Sequence, residues 1–419
     1  MNLSRREFLG SGAAALAAGS TLSSCSAPSP SPGAPTPPSK RVAAIHTVYH
    51  IRSHSYHITG RFIHGYPLLG VHHQPDWKLV RMYNDQYPAN DLSRDLAAKK
   101  GFEISKSVAD ALGGEKGLDV DAVILVGEHG NYPNNEIGQQ LYPRHKLFME
   151  IAAYFKKCGK TAPVFNDKHL SYDHALAAEM VSTAKEMGFG FMAGSSLPVT
   201  WRRPEIEPAI GTPITEGLCC CASPGERYAF HGLETLQVMM ERRAEKETGI
   251  KSVTALRGAA VWRAGDEGRW SWDLLEAALS RSPSRNYGDP RDNAVDPLAI
   301  LIEYKDGAKG AVLQLAEHVA DFTFAGRVRG RKEPLSALFD LPAPPGARYF
   351  SAQVWNIEKL FATGKAPYPV ERTLLTTTAL DFWMRSLAAG GKRMEDPSLG
   401  VTYAPPADSG FLRGRITDA

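Results

Sequence analysis

Three apolar runs in the first half of the chain end on titratable side chains. DAVILV runs into Glu128-His129-Gly130, APVFN into Asp167-Lys168-His169, and KLVRMY into Asn84-Asp85. Ligands of an open parallel sheet bind beyond the carboxyl ends of its strands, so acids, a lysine and imidazoles there are placed for proton transfer or for holding a polar ligand. Glu128 and His129 stand between Gly127 and Gly130, which suits a pocket wall. A second concentration is histidine, with seven of the thirteen falling between His46 and His73. His54, His57 and His64 share one helical face, a spacing that permits a metal. Arg61 on the same face repels a cation, so no metal is expected. Two readings of the cluster stay open: a surface of hydrogen-bonding imidazoles, and an anion or sugar pocket. Farther on, Trp201, Arg202 and Arg203 combine an aromatic ring with guanidiniums suited to a polyol, although a linker strand packed between domains explains them equally well.

These residues need a sheet to position them. From Arg41 to Ser196 the runs RVAAI, KLVRMYND, DAVILVGEH, APVFND and GFMAGSS alternate with helical patterns, which predicts a doubly wound parallel sheet with helices on both faces. DAVILV is apolar after its first residue, as a central strand covered on both sides must be. After Pro198 longer strands cluster, including LAILIEY and AVLQLAEHV joined across Lys305-Asp306-Gly307-Ala308, where Asp-Gly signals a hairpin. This half reads as an antiparallel or mixed sheet, with helices near 228–243, 271–282, 349–364 and 370–389 over one face. The expected class is α/β. A Rossmann-like doubly wound domain spans 41–198, and an α+β domain with a largely antiparallel sheet spans 199–419, serving substrate binding and oligomerisation. An exposed face of the second sheet makes a homo-oligomer the expectation.

The length of 419 residues, 43% of them hydrophobic and 22% charged, suits two such domains. The 48 Lys and Arg are interspersed with 45 Asp and Glu, and no basic run tracks phosphates, so nucleic acid is not an expected partner. Cys219, Cys220 and Cys221 read as a buried strand, without the spacing of a disulfide framework or a zinc site. The start of the chain reads as an address. Ser4-Arg5-Arg6-Glu7-Phe8-Leu9 and the small apolar stretch after it have the layout of a twin-arginine signal. Leu22-Ser23-Ser24-Cys25 resembles a lipobox, with Cys25 the lipidated residue, so residues 1–25 form the signal and the Pro- and Ser-rich residues 26–40 a tether. The expected location is periplasmic, or held by lipid on the outer side of the bacterial inner membrane. The twin-arginine route carries folded cargo, so a nucleotide loaded before export could stay bound.

The order of strands, the DAVILVGEHG segment, FNDKHLSYDHALAAEMV and YAFHGLETLQVMM together resemble the Gfo/Idh/MocA family of oxidoreductases, from Arg41 to about Gly390. The resemblance implies a dinucleotide-binding domain joined to a sheet domain, NAD or NADP as cofactor, and a sugar or polyol as substrate. Lys168 matches the family lysine between cofactor and substrate, and His231 the family's acid or base. Glu234 stands where the family usually has Asp, three residues along a helix, where it could orient the imidazole or touch the same ligand. His50, Ser53, Asp85, Glu128 and His129 then fall to the cofactor side, and His169, Trp201 and Arg202 to the substrate side. The chain departs from the pattern at its first loop. The family's glycine-rich turn is replaced by IHTVYHIRSHSYHIT, where Tyr49 and His50 take up room and Arg52, Ser53 and helix amides could receive an anion. The alternative is a cofactor-free member of the fold, acting as a carbohydrate-binding lipoprotein or as a lyase or hydrolase.

Overall fold

A computed structural model describes residues 40–342 and 346–415. The twin-arginine segment, Cys25 and the tether up to residue 39 lie outside the described residues. The first half runs through β1 (Lys40–His46), α1 (His54–His64), a hairpin of β2 (Tyr66–Leu68) and β3 (Val71–His73), β4 (Trp77–Asn84), α2 (Ser93–Lys100) and β5 (Glu103–Ile104). It continues with α3 (Val108–Leu112), β6 (Ala122–Val126), α4 (Arg144–Cys158), β7 (Val164–Asp167), α5 (His174–Met187) and β8 (Phe191–Gly194). These strands pair in parallel in the order β5-β4-β1-β6-β7-β8. The order reverses at β1, so the crevice beyond the ends of β1 and β6 is the natural ligand position.

The second half contains β9 (Trp201–Arg203), β10 (Ile214–Cys221), α6 (Glu226–Met240), β11 (Ile250–Arg257), α7 (Ala259–Asp266), α8 (Trp272–Leu279) and α9 (Pro290–Asn293). Then follow β12 (Leu298–Tyr304), β13 (Lys309–Gln314), β14 (Phe322–Val328), β15 (Leu335–Asp340), α10 (Tyr349–Thr363) and α11 (Val370–Ala388). The sheet order is β11-β12-β13-β10-β14-β15-β9, antiparallel except for β10 against β13. The β12–β13 hairpin turns at Gly307, whose φ of +87° a side chain would resist.

Both sheets are covered on both faces. In β6, Val123 and Leu125 pack toward α3, α4 and α5, while Ile124 and Val126 pack toward α1 and α10. In β10, Cys219 and Cys221 face α6 and α11, and Leu218 and Cys220 face α7 and α8. The cysteine run is therefore a buried strand whose side chains alternate between two cores. This arrangement corrects two expectations. The later helices do not share one face, because a strand apolar on both sides needs cover on both. The sheet face expected to be open for self-association is instead buried under α7 and α8. α10 leaves the second sheet altogether: Val354, Ile357 and Leu360 join Val42, Ile124 and Phe165 in the core of the first. Among the described residues no helix is long and apolar enough to cross a membrane.

Candidate active site

The carboxyl ends of β6, β7 and β8 meet the first turns of α1 and α6 around a cleft of about 480 Å³. β7 closes on Asp167, and Lys168 follows with φ +66°, a left-handed conformation that L side chains adopt at a cost of about 1–2 kcal/mol. Its amide donates to the carbonyl of Gly194 at 3.1 Å, which fixes this turn against the end of β8. Lys168 is buried in the cleft wall, its Nζ 3.4 Å from Oε1 of Glu128 and without a hydrogen-bond partner.

Glu128 is shared among three cations. Arg144 of α4 donates to its Oε2, and Nε of Arg227 lies 3.7 Å from its Oε1. Arg144 also donates to Nε2 of His169 at 3.0 Å. Burial pulls the Lys168 ammonium below its ordinary pKa. Burial pushes Glu128 the other way, but Lys168 and Arg144 outweigh it and hold the carboxyl well below the usual range. His231 enters from α6, one turn past Arg227 and Tyr228, and all three line the cleft. Its Nδ1 is buried without a partner, and burial, reinforced by the charge of Lys168, holds the imidazole neutral. Opposite, His54 at the start of α1 bonds Asp167 at 2.7 Å, and His57 stacks on Phe350 at 5.0 Å. His129 completes the wall at φ +69°, its pKa lowered to about 4 by burial and by His54.

Of the residues singled out in the sequence, Lys168, His231 and His129 share this cleft, and Glu128 braces it from behind. His169 is buried against Arg144 and Phe230, where it positions the Arg144–Glu128 pair instead of facing the cleft. Glu234 does not reach the His231 ring; its Oε2 accepts the amide of Ser195 at 2.7 Å and so holds the turn after β8. Trp201 packs into the core beneath the first sheet. Arg202 is buried with its two terminal nitrogens donating to the carbonyls of Ile206 and Pro198 and to Ser409, and its guanidinium sits 4.1 Å from the Phe411 ring. Both serve a packed linker strand. Ser53 caps α1 through the amide of Tyr56, and its hydroxyl donates to the carbonyl of His50. His50 stands at the cleft edge, its ring 5.9 Å from that of His129. Tyr49 does not fill the loop: it is wholly buried, its ring stacked on His46 at 5.8 Å. His64 is exposed at the far end of α1, away from His54 and His57 in the cleft lining.

Asp85 ends β4 beside β1, and its two oxygens accept from the hydroxyls of Tyr83, at 3.1 Å, and Tyr132, at 2.6 Å. The side chain of Gln86 pairs with both the amide and the carbonyl of Asn131. Together these bonds latch the loop after β6 to the end of β4, across the end of β1. Arg227 and Tyr228 were not singled out beforehand, although their spacing of four and three residues from His231 places them on one helical face. Tyr349 and Phe350 come from α10 and had no sequence signal.

Glu234 carries a prediction. Burial pushes its pKa up to about 7 from an ordinary 4.5. In that window the folded chain binds more protons than the unfolded chain, so this residue makes stability fall as pH rises. Glu234→Gln will lessen the fall in melting temperature between pH 4.5 and 7; an unchanged slope contradicts the assignment.

No protein-family model matches the sequence, and a search of curated proteins finds no match. Solved structures do match. Myo-inositol dehydrogenase from Lactobacillus casei, in complex with NAD(H) and myo-inositol, superposes with a TM-score of 0.54 at 11% identity, over 85% of this chain and 96% of its own. Myo-inositol 2-dehydrogenase from Lactobacillus plantarum gives 0.51 at 12% identity, over 85% and 99%. GenD2 from gentamicin A biosynthesis, in complex with NAD, gives 0.51 at 14% identity, over 85% and 96%. At such identities the likeness is one of fold, and it establishes that this chain is built as a Rossmann-like parallel sheet and a mixed, mostly antiparallel sheet in the manner of the Gfo/Idh/MocA-type dehydrogenases.

Proposed function

We propose that the chain is an oxidoreductase acting on a hydroxyl of a sugar or polyol with NAD(P) as partner. The observation that carries this reading is the meeting of Lys168, from the end of β7, and His231, from α6, on one cleft at the strand ends. The fold supports it, since solved proteins of this fold include a dehydrogenase holding NAD(H) and myo-inositol.

The residues present fit a dinucleotide at two of its parts. Ser53 takes the Tyr56 amide and leaves those of His54 and Ser55 at the start of α1, with Arg52 beside them, for a pyrophosphate. Lys168 and His129 stand where the strand ends would receive the nicotinamide. Bound there, NAD(P) supplies the hydride acceptor or donor. The adenosine ribose would fall to Asp85, whose oxygens Tyr83 and Tyr132 already claim. Tyr132→Phe should therefore tighten the Kd for NADH by about two- to ten-fold, the worth of one hydrogen bond. Fluorescence titration reads this, and weaker binding would argue that the latch supports the site.

On the substrate side the buried Lys168 ammonium donates to the reacting oxygen, its charge maintained by Glu128. The neutral imidazole of His231 takes the hydroxyl proton at Nε2, since its Nδ1 is enclosed. Phe322 and Phe350 line the cleft and limit water around these groups. The test is NAD(P)-linked turnover of a panel of polyols followed by nicotinamide absorbance. Polyol binding without any such turnover would favour the cofactor-free reading, which the glycine-free loop and the latch between β4 and β6 support.

Ser4–Leu9 and Cys25 support export by the twin-arginine route and a lipid anchor. Whether recovery of the protein from membranes requires detergent tests the anchor.

A further inference from the structure

Charge is unevenly distributed in the cleft. Its lining carries three basic side chains, Arg52, Lys168 and Arg227, together with four imidazoles, and among the described residues no carboxylate. The acids around it are set behind the wall: Glu128 and Asp167 have side-chain exposures of 2% and 0%, and Glu226, beside Arg227, is a carboxyl whose pKa burial raises to about 7. Glu128 must answer Arg144, Lys168 and Arg227 together, and Asp167 is engaged by His54. The imidazoles report the same excess. Burial is the main cause of the lowered pKa of His57, about 4, and of His231, and the charges of Arg61, His54 and Arg52 in the first case and of Lys168 in the second add to it.

A neutral polyol would leave this excess unanswered inside a partly enclosed site, where charge is screened less than at an open surface. The cations divide by position. Arg52 belongs to the start of α1, the pyrophosphate end of the cleft. Arg227 comes from α6, four residues before His231, and its side chain is 53% exposed over the mouth. Lys168, buried and without a hydrogen-bond partner, approaches the same Oε1 of Glu128 as Arg227, at 3.4 Å against 3.7 Å.

We propose that the substrate is an anionic polyol, a carboxylate or phosphate ester of single-sugar size, whose charged group pairs with Arg227 while a hydroxyl faces Lys168 and His231. The hydroxyl's role rests on the oxidoreductase reading; the recognition of the anion does not.

Isothermal titration of the full chain, without added nucleotide, with gluconate, glucose 6-phosphate and sorbitol tests this. At least one anion should bind ten-fold or more tighter than sorbitol, and the two anionic arms separate carboxylate from phosphate. Arg227→Gln should reduce the preference to less than three-fold, with circular dichroism unchanged because Arg227 is exposed. Arg52→Gln should leave most of it. Equal affinity for sorbitol, no binding of either anion, or a preference lost with Arg52 and kept without Arg227 would each overturn the proposal. An anion preference in a protein without NAD(P)-linked turnover would keep this proposal and overturn the oxidoreductase reading instead.

Discussion

Lys168→Met and His231→Ala will each lower kcat/KM for NAD(P)-linked oxidation by about 10²–10⁴-fold, the usual worth of a positioned acid or base. The melting temperatures should stay near that of the unaltered protein. Removing the Lys168 charge leaves the buried Glu128 still paired with Arg144, so no carboxylate is stranded. Removing the His231 ring leaves space on the cleft side of α6, where the imidazole makes no hydrogen bond among the described residues. Steady-state kinetics on the best polyol, with thermal unfolding of the same samples, checks both halves. If both variants unfold, the two residues hold the fold together and the assignment fails. If both turn over normally, the chemistry lies elsewhere.

Glu128→Gln will have the larger effect on stability, about 3–5 kcal/mol, because it leaves buried cations without their counter-charge. Arg144 and Lys168 are both almost wholly enclosed and meet at this one carboxylate. Lys168 can relieve part of the cost by losing its proton, and burial already favours that loss. The variant should therefore lose activity at neutral pH as well and regain some as the pH falls, since acid restores the ammonium. Lys168→Met, which leaves a balanced pair, should be far less destabilised. Denaturant unfolding of the two variants compares them directly, and equal losses would mean that the network contributes little to holding β6, β7 and α4 together.

The parallel sheet was legible because DAVILV and its neighbours carry period and length that only buried strands tolerate. The strand-end rule then led to Glu128, His129, Asp85 and Lys168 without any contact being known. Other placements were beyond local pattern. Trp201 and Arg202 have the chemistry of a sugar site, yet the partners that bury them, Phe411 and Ser409, lie some two hundred residues away. The face of the second sheet that α8 covers depends on β10 being apolar on both sides, while the cysteines of that strand read from sequence only as buried. α10 joins the first core through Val354 and Ile357, a tertiary choice that its own periodicity cannot announce. Tyr49 illustrates the same limit: its bulk was visible in the loop, and its direction, inward against His46, was not.

The most direct measurement is to purify the full-length protein after native export, denature it, and assay the supernatant for nicotinamide nucleotide by absorbance and mass. Alongside it, the intact protein is titrated with NADH and NADPH. The proposed function predicts release of about one nucleotide per chain, or saturable binding when the site has emptied during purification. No released nucleotide and no binding of either added form would contradict it, leaving Lys168 and His231 to a reaction or a binding role that needs no nicotinamide.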